Sequence, residues 1–205
     1  RSQLMSYLAR ANYNLLDRYL FTASFRRDGS SRFNPLNRWS NFYSGAIAWR
    51  MSDEAFIKNL NFFDNLKLRF SAGQTGNQGI SAYATRSRFE AQNYPFDGTM
   101  NPGAGEDRWG GPAAANLKWE TTNKLNVGTD MEFWNSRISL VFDYYYNKTV
   151  DLITDVTLPG SAGFSSYKSN LGETLNKGFD IQFRFDVMKN KDWNVALWGN
   201  LNHNR

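Results

Sequence analysis

Between Leu117 and Thr149 the chain reads LKWETTNKLNVGTDMEFWNSRISLVFDYYYNKT, and its sustained period-two alternation constrains the fold more than any other feature. Leu125, Val127, Thr129, Met131 and Phe133 fall on one side, and Lys124, Asn126, Gly128, Asp130 and Glu132 on the other. After a turn at Asn135-Ser136 the alternation resumes, with Ile138, Leu140, Phe142, Tyr144 and Tyr146 set against Ser139, Asp143, Tyr145 and Asn147. Successive side chains of a strand point to opposite faces, so this stretch is a long hairpin with one apolar and one polar face. Each arm runs to about ten residues or more, against about five or six for a strand in a soluble protein. Trp119 and Trp134 bound one arm, and Tyr144 to Tyr146 lie near the end of the other. Such strands suit a bilayer crossing with aromatic girdles at the interfaces.

The remainder of the chain repeats this unit. Tyr7, Ala9, Ala11, Tyr13 and Leu15 alternate with polar neighbours, turn at Leu16-Asp17-Arg18, and continue as Tyr19, Phe21, Ala23 and Phe25. Tyr43, Gly45, Ile47 and Trp49 form a further apolar set, as do Leu66, Leu68, Phe70 and Ala72. The most regular set is Phe179, Ile181, Phe183, Phe185 and Val187 against Asp180, Gln182, Arg184 and Asp186. A turn over Lys189 to Asp192 leads to Trp193, Val195, Leu197 and Leu201. Between these strands Ser52-Asp53-Glu54 can cap a short helix carrying Phe56, Ile57 and Leu60. Loops are expected at about 28–38, 76–116 and 150–173 from their Gly, Pro, Asn and Ser punctuation. The middle one, about forty residues, is too long for a compact domain unless it has a task.

Alternate connections of an antiparallel meander lie at opposite ends, which puts the long loops together at one end and the short turns at the other. Bacterial outer-membrane barrels have that asymmetry, with the long loops outside the cell. Arg10, Arg26, Arg50, Arg69, Asp130, Glu132, Asp143, Asp180, Arg184 and Asp186 all fall on the polar side of their strands. Such charges need water or partners, and a hydrated lumen offers both. A soluble β-sandwich with its charged face outward would show the same alternation.

Composition narrows the function classes. The mean hydropathy is −0.59, yet 16% of the 205 residues are aromatic, which argues against a disordered polymer. A net charge of +5 without a basic stripe or helix gives no platform for nucleic acid. There is no cysteine, and the single histidine is His203 near the C-terminus. A cysteine nucleophile, a Ser-His-Asp triad and a multi-histidine zinc site are therefore disfavoured. No cofactor is expected, and the start at Arg1 reads as a piece of a longer chain.

Several runs carry a specific resemblance. RYLFTASFRRDGSSRF (18–33), AWRMSDEAF (48–56), LKLRFSAGQTGNQ (66–78), LKWETTNKLNVGTD (117–130), DYYYNKTVDLI (143–153), LP-G (158–160) and NKGFDIQF (176–183) resemble the SusC/RagA family, the TonB-dependent transporters of the Bacteroidetes outer membrane. The resemblance implies an all-β chain: a segment of about eight antiparallel strands from a transmembrane barrel of about 22. Residues 1–205 would all belong to the barrel domain, with the N-terminal plug and the remaining strands outside this sequence. It further implies import of oligosaccharides or peptides, a SusD-like surface lipoprotein as a lid over the mouth, and TonB acting through the plug. Outer-membrane lipid would surround the barrel, with no catalysis of its own and no nucleic-acid partner. Two readings of the residues stay open beside it: a soluble carbohydrate-binding β-sandwich, and a complete eight-stranded outer-membrane barrel.

Candidate contact residues lie in the loops. Tyr83, Phe89, Tyr94, Phe96 and Trp109 stand in the middle loop, and Phe164 and Tyr167 in the last. They can stack on sugar rings, pack against a lid protein, or form the loops' own small core. Asp151 and Asp155 imitate a glycosidase pair only superficially, since their spacing implies no pocket. Asn101, Glu106 and Asp107 match no calcium-loop spacing. Gly110-Gly111 lacks the Lys-Ser/Thr of a phosphate loop, and Asp28-Gly29-Ser30-Ser31 reads as turn chemistry.

Overall fold

A strand pair whose apolar positions recur every second residue buries or solvates a whole face at once, so its register is set by matching like faces. The computed structural model, which describes residues 2–107, 111–189 and 191–205, shows the outcome. In chain order the strands are β1 (Leu4–Leu15), β2 (Tyr19–Ser30), β3 (Trp39–Arg50), β4 (Phe63–Asn77), β5 (Phe89–Phe96) and β6 (Thr99–Glu106). Then follow β7 (Glu120–Phe133), β8 (Ile138–Val150), β9 (Ile153–Thr157), β10 (Ser166–Asn170), β11 (Thr174–Lys189) and β12 (Asn194–Asn204). Eight of them form one antiparallel sheet in the order β1-β2-β3-β4-β7-β8-β11-β12. The other strands pair only as the hairpins β5–β6 and β9–β10, inside the long connections.

Across this sheet Tyr13, Phe21, Ile47, Phe70, Val127, Tyr144 and Phe179 stand opposite one another, strand after strand. Nothing covers that row: Tyr13 is 62% exposed and Phe183, on the same face, 49%. An apolar surface spanning a whole sheet is untenable in water, whereas lipid is its natural solvent. A sandwich would need a second large sheet against it, and a complete small barrel would need β1 paired with β12. The described residues provide neither, because β1 and β12 are the two edges of an open sheet. Both alternative readings of the sequence are thereby corrected.

Aromatic side chains collect where the strands meet the short connections. Tyr19 stacks on Trp49 at 6.1 Å, and Phe62, Phe63 and Phe133 cluster with centroids 5.0 to 5.2 Å apart. The β3–β4 connection holds a turn of 3-10 helix (Met51–Asp53) and α1 (Ala55–Lys58). The expected Ser52-Asp53-Glu54 cap is not made: Glu54 is the N-cap, without a side-chain capping bond. Its carboxylate instead accepts hydrogen bonds from Tyr19 Oη (2.7 Å), Trp49 Nε1 (3.3 Å) and Arg18 Nη1 (3.3 Å). Those donors, the Tyr19 hydroxyl foremost, hold the Glu54 carboxyl below its usual range.

Other boundaries also differ from the sequence reading. The β7–β8 turn spans 134–137 rather than Asn135-Ser136 alone, with left-handed backbone at Trp134, Asn135 and Ser136 and closure at Phe133↔Ile138. Asp28, Gly29 and Ser30 extend β2 instead of turning, because Ser30 N–H reaches Arg38 O (3.1 Å) and Gly29 pairs with Trp39. β4 likewise runs on past Gly76 to Asn77, paired with Glu120. Near the end of β11 the register shifts between Asp186 and Met188, so Val187 is the extra residue of a bulge. Trp119, expected in a lipid-interface girdle, is only 5% exposed and lies in the loop core described below.

The opposite solvation of the two faces predicts opposite tolerance to charge. In the full-length protein Phe183→Arg, on the apolar face, should cost about 2–4 kcal/mol of folding stability in liposomes. Gln182→Arg, its neighbour on the polar face, should be nearly silent. Equal losses in denaturant titrations would contradict the assignment of the faces.

Candidate functional site

On the inner face polar residues line up in rows as regular as the apolar ones outside. Lys67 pairs with Asp130, and Arg69 with Gly128, which is itself paired with Asp143. Arg69 thus sits two strands away from Asp143, with Gly128 on the strand between. Its guanidinium crosses that gap, with Nη2 2.8 Å from Asp130 Oδ1 and 3.0 Å from Asp143 Oδ2. The crossing depends on the missing side chain: a Cβ on Gly128 would collide with Asp143 Oδ1 and come within 2.9 Å of Arg69 Nη2. Two carboxylates on adjacent strands are held by one cation, which offsets their mutual repulsion and ties β4, β7 and β8 across the wall. Asp180, paired with Asp143 on the next strand, accepts a hydrogen bond from Asn202.

Above this wall the long connections converge on a small core. Phe33, Phe42, Ile80, Leu117 and Trp119 are buried together, with Ala84, Ala114 and Ile153 packed against them. Phe42 occupies an inward position of β3, opposite Arg26. Trp119 stacks on Phe33 at 5.1 Å and meets Phe42 edge-on at 5.9 Å, while its Nε1 donates to Arg38 O (3.1 Å). The Phe42 ring lies over Gly76, where any Cβ would strike it. Asn170 joins the last loop to the middle one: its Oδ1 accepts from Lys118 N (2.7 Å), and its Nδ2 donates to Lys118 O (3.0 Å) and Asp151 O (2.8 Å). Arg32 Nη1 donates to Ile80 O at 2.8 Å, binding the first loop to the middle one. The loops at the mouth are one packed unit.

The candidate aromatics lie outside that core. Phe89 (68% exposed), Tyr94 and Phe96 project from the β5–β6 hairpin, with Tyr94 and Phe96 on one face and Phe89 on the other. Tyr83 is exposed in a turn with left-handed backbone. Tyr167, half-buried on β10, lines a recess with Lys118, Asp151 and Asn170, and Phe164 is half-buried in the β9–β10 connection. Trp109 lies outside the described residues. The structure does not gather these residues into one site. Asp155, of the glycosidase-like pair, is bound to Lys168 Nζ at 2.8 Å, and Asp107 faces Arg88 at 3.2 Å. Sequence reading passed over Phe42 and Phe33; the available signal was an apolar ring at an inward, otherwise polar position of β3.

The geometry has close counterparts among known proteins. Residues 2–205 match a family profile described as TonB dependent receptor-like, beta-barrel. The chain is 38% identical over 216 residues to the TonB-dependent receptor SusC of Bacteroides thetaiotaomicron, covering 100% of this chain and 21% of that protein. It is 37% identical over 205 residues to TonB-dependent receptor P26 of Formosa agariphila, covering 99% of this chain and 20% of the relative. Its fold matches the structure of the RagAB peptide transporter at a TM-score of 0.86 and 32% identity, over 100% of this chain and 22% of that one. The RagAB peptide importer in its open-open state gives a TM-score of 0.88 at the same identity. The chain therefore spans about a fifth of the length of these curated relatives.

Gly128 offers a direct check of the inner wall. Gly128→Ala in the full-length protein should lower stability to guanidinium by about 1–3 kcal/mol, the cost of parting a half-buried ionic contact. Gly45→Ala should be close to neutral, since the nearest atom to a Cβ there is Thr22 O at 3.8 Å. Equal midpoints for both variants would show that Arg69 does not need the gap.

Proposed function

The chain belongs to the TonB-dependent receptor-like β-barrel family, and from that membership we propose that it forms part of the barrel wall of an outer-membrane importer. The complete barrel would take up oligosaccharides or peptides by active transport. A SusD-like surface lipoprotein would close its mouth, and TonB would act through a plug contributed by the rest of the protein. The observation that carries this reading is the sheet itself: its outer face carries an uncovered apolar row from Tyr13 to Phe179, and its inner face is polar and ionic. A wall with those two solvents encloses an aqueous passage through lipid.

On this reading the converged loops at about 31–38, 78–119 and 151–173 face the outside of the cell. Tyr83, Phe89, Tyr94, Phe96, Phe164 and Tyr167 would then meet either the lid or the arriving substrate. The exposure of Tyr83, Phe89, Tyr94 and Phe96 supports contact with something beyond this sheet, because large aromatic side chains are otherwise driven into cores. The RagAB structures concern a peptide transporter. Active transport is tested by deleting the full-length gene in its own host and, separately, the gene for TonB. Cells are offered mixed oligosaccharides and a peptide digest, and depletion of the medium is followed by mass spectrometry. Both deletions should stop the uptake of the same compounds. Unchanged depletion in the transporter deletion would overturn the importer reading.

A further inference from the structure

The connection between β3 and β4, residues 51–62, is longer than the turns 16–18 and 134–137 at the same end of the sheet. Three of its large apolar side chains are open: Phe56 (55% exposed), Leu60 (62%) and Phe62 (63%). Phe56 lies on α1 and Leu60 just beyond it, one helical turn apart, so the two share a side. Ile57 is buried against the wall. Lys58 lies on the other side, where it lines a polar recess with Asp53 and the inward residues Lys67 and Glu132. The turn is therefore amphipathic. Both ends of its apolar side run into the lipid-facing surface of the sheet. The Phe56 ring is 6.4 Å from Trp49, which is paired with Leu68 on the outer face. Phe62 meets Phe63 and Phe133 at 5.0 and 5.2 Å, and Phe133 shares its face of β7 with Val127. Glu54 fixes this orientation, because its carboxylate is held by Tyr19 and Trp49 of the wall and by Arg18.

We propose that this connection is a foot immersed in the membrane, with Phe56, Leu60 and Phe62 among the acyl chains of the nearer leaflet and Lys58 on the water side. The proposal rests on the importer reading, which makes that leaflet the periplasmic one. In water the three side chains would form an exposed patch on a connecting loop, whereas beside a lipid-facing wall they extend a surface that lipid already covers. The Glu54 carboxylate next to them has its three donors, so immersion strands no bare charge there. A protein partner fits this surface less well. The patch joins the lipid face at Trp49 and again at Phe133, so a partner seated on it would itself have to enter the bilayer. The apolar belt is thereby taller at β3 and β4 than the strands alone make it, which sets how deep this part of the wall sits.

The test uses the full-length protein in phospholipid liposomes, with any natural cysteines replaced and one bimane label at a time on Phe56→Cys, Leu60→Cys or Phe62→Cys. Lys58→Cys is the water-side reference and Phe183→Cys the lipid-face reference. Each label is challenged with nitroxide-bearing phospholipid and, separately, with iodide on both sides of the bilayer. The labels at positions 56, 60 and 62 should emit to the blue of the label at 58. They should be quenched by the nitroxide lipid as at 183 and protected from iodide, with the reverse pattern at 58. Heat-modifiable gel migration reports whether each variant is folded. Phe62 packs on two other rings, so if Phe62→Cys does not fold, Phe56→Cys and Leu60→Cys read the same surface. Iodide quenching at 56 and 60 equal to that at 58 would overturn the proposal, placing the connection in water. Protection from both quenchers would also overturn it, because the rest of the protein would then cover the patch. Either result with lipid quenching intact at 183 leaves the importer reading standing. Loss of lipid quenching at 183 as well would overturn both.

Discussion

Every backbone N–H and C=O that enters a bilayer must find its partner within the protein, because lipid supplies none. The ladder from β1 to β12 meets that demand for the interior strands and thereby dictates the rest. Once strands are paired, side-chain parity is shared across the sheet, and a slip of one residue would turn an entire face over. The unbroken row from Tyr13 to Phe179 records that no such slip occurs over seven strands. Bulges are confined to positions near the short turns, between Phe63 and Asn65 and between Asp186 and Met188, where water can reach the unpaired group.

The two faces then solve different problems. Outside, apolar side chains need no partners. Inside, charges are matched across strands, as when Arg69 reaches over Gly128 to Asp143, and along them, as in Arg26–Asp28 and Arg184–Asp186. This geometry couples neighbouring strands through side chains as well as backbone, so the wall resists shear while leaving its surface wet. Nearer the mouth the matching continues along β2, where Asp28 holds Arg26 at 2.8 Å. Above them the connections stop behaving as loops. Trp119, Phe33 and Phe42 give them a core, and Asn170 supplies the hydrogen bonds of a missing strand partner.

Period-two alternation made the sheet legible from sequence, most clearly in β7, β8 and β11, where apolar and polar positions rarely trade places. It was less informative where strands leave the membrane. Asp28-Gly29-Ser30 has turn composition but is held extended by the returning strand, a long-range pairing that local chemistry does not report. The hairpins β5–β6 and β9–β10 were hidden because their strands are short, and because β6 is rich in Gly and carries Pro102. The candidate site was legible only in part. Aromatic residues in loops drew attention to Phe89, Tyr94 and Phe96, whereas the residues that organise the mouth, Phe42 and Trp119, sit on or beside strands. The inner charges were visible as residues, but that one guanidinium, Arg69, engages both Asp130 and Asp143 depends on register, which only the paired strands reveal.

The central claim is that one sheet face meets lipid and the other meets water. It is tested most directly by nitroxide spin labels placed one at a time from Ile138 to Tyr146 along β8 of the full-length protein in liposomes. Accessibility to oxygen, which partitions into lipid, should peak at Ile138, Leu140, Phe142, Tyr144 and Tyr146. Accessibility to a water-soluble nickel chelate should peak at the positions between, in opposite phase. Profiles without a two-residue period, or with both reagents in phase, would contradict the account.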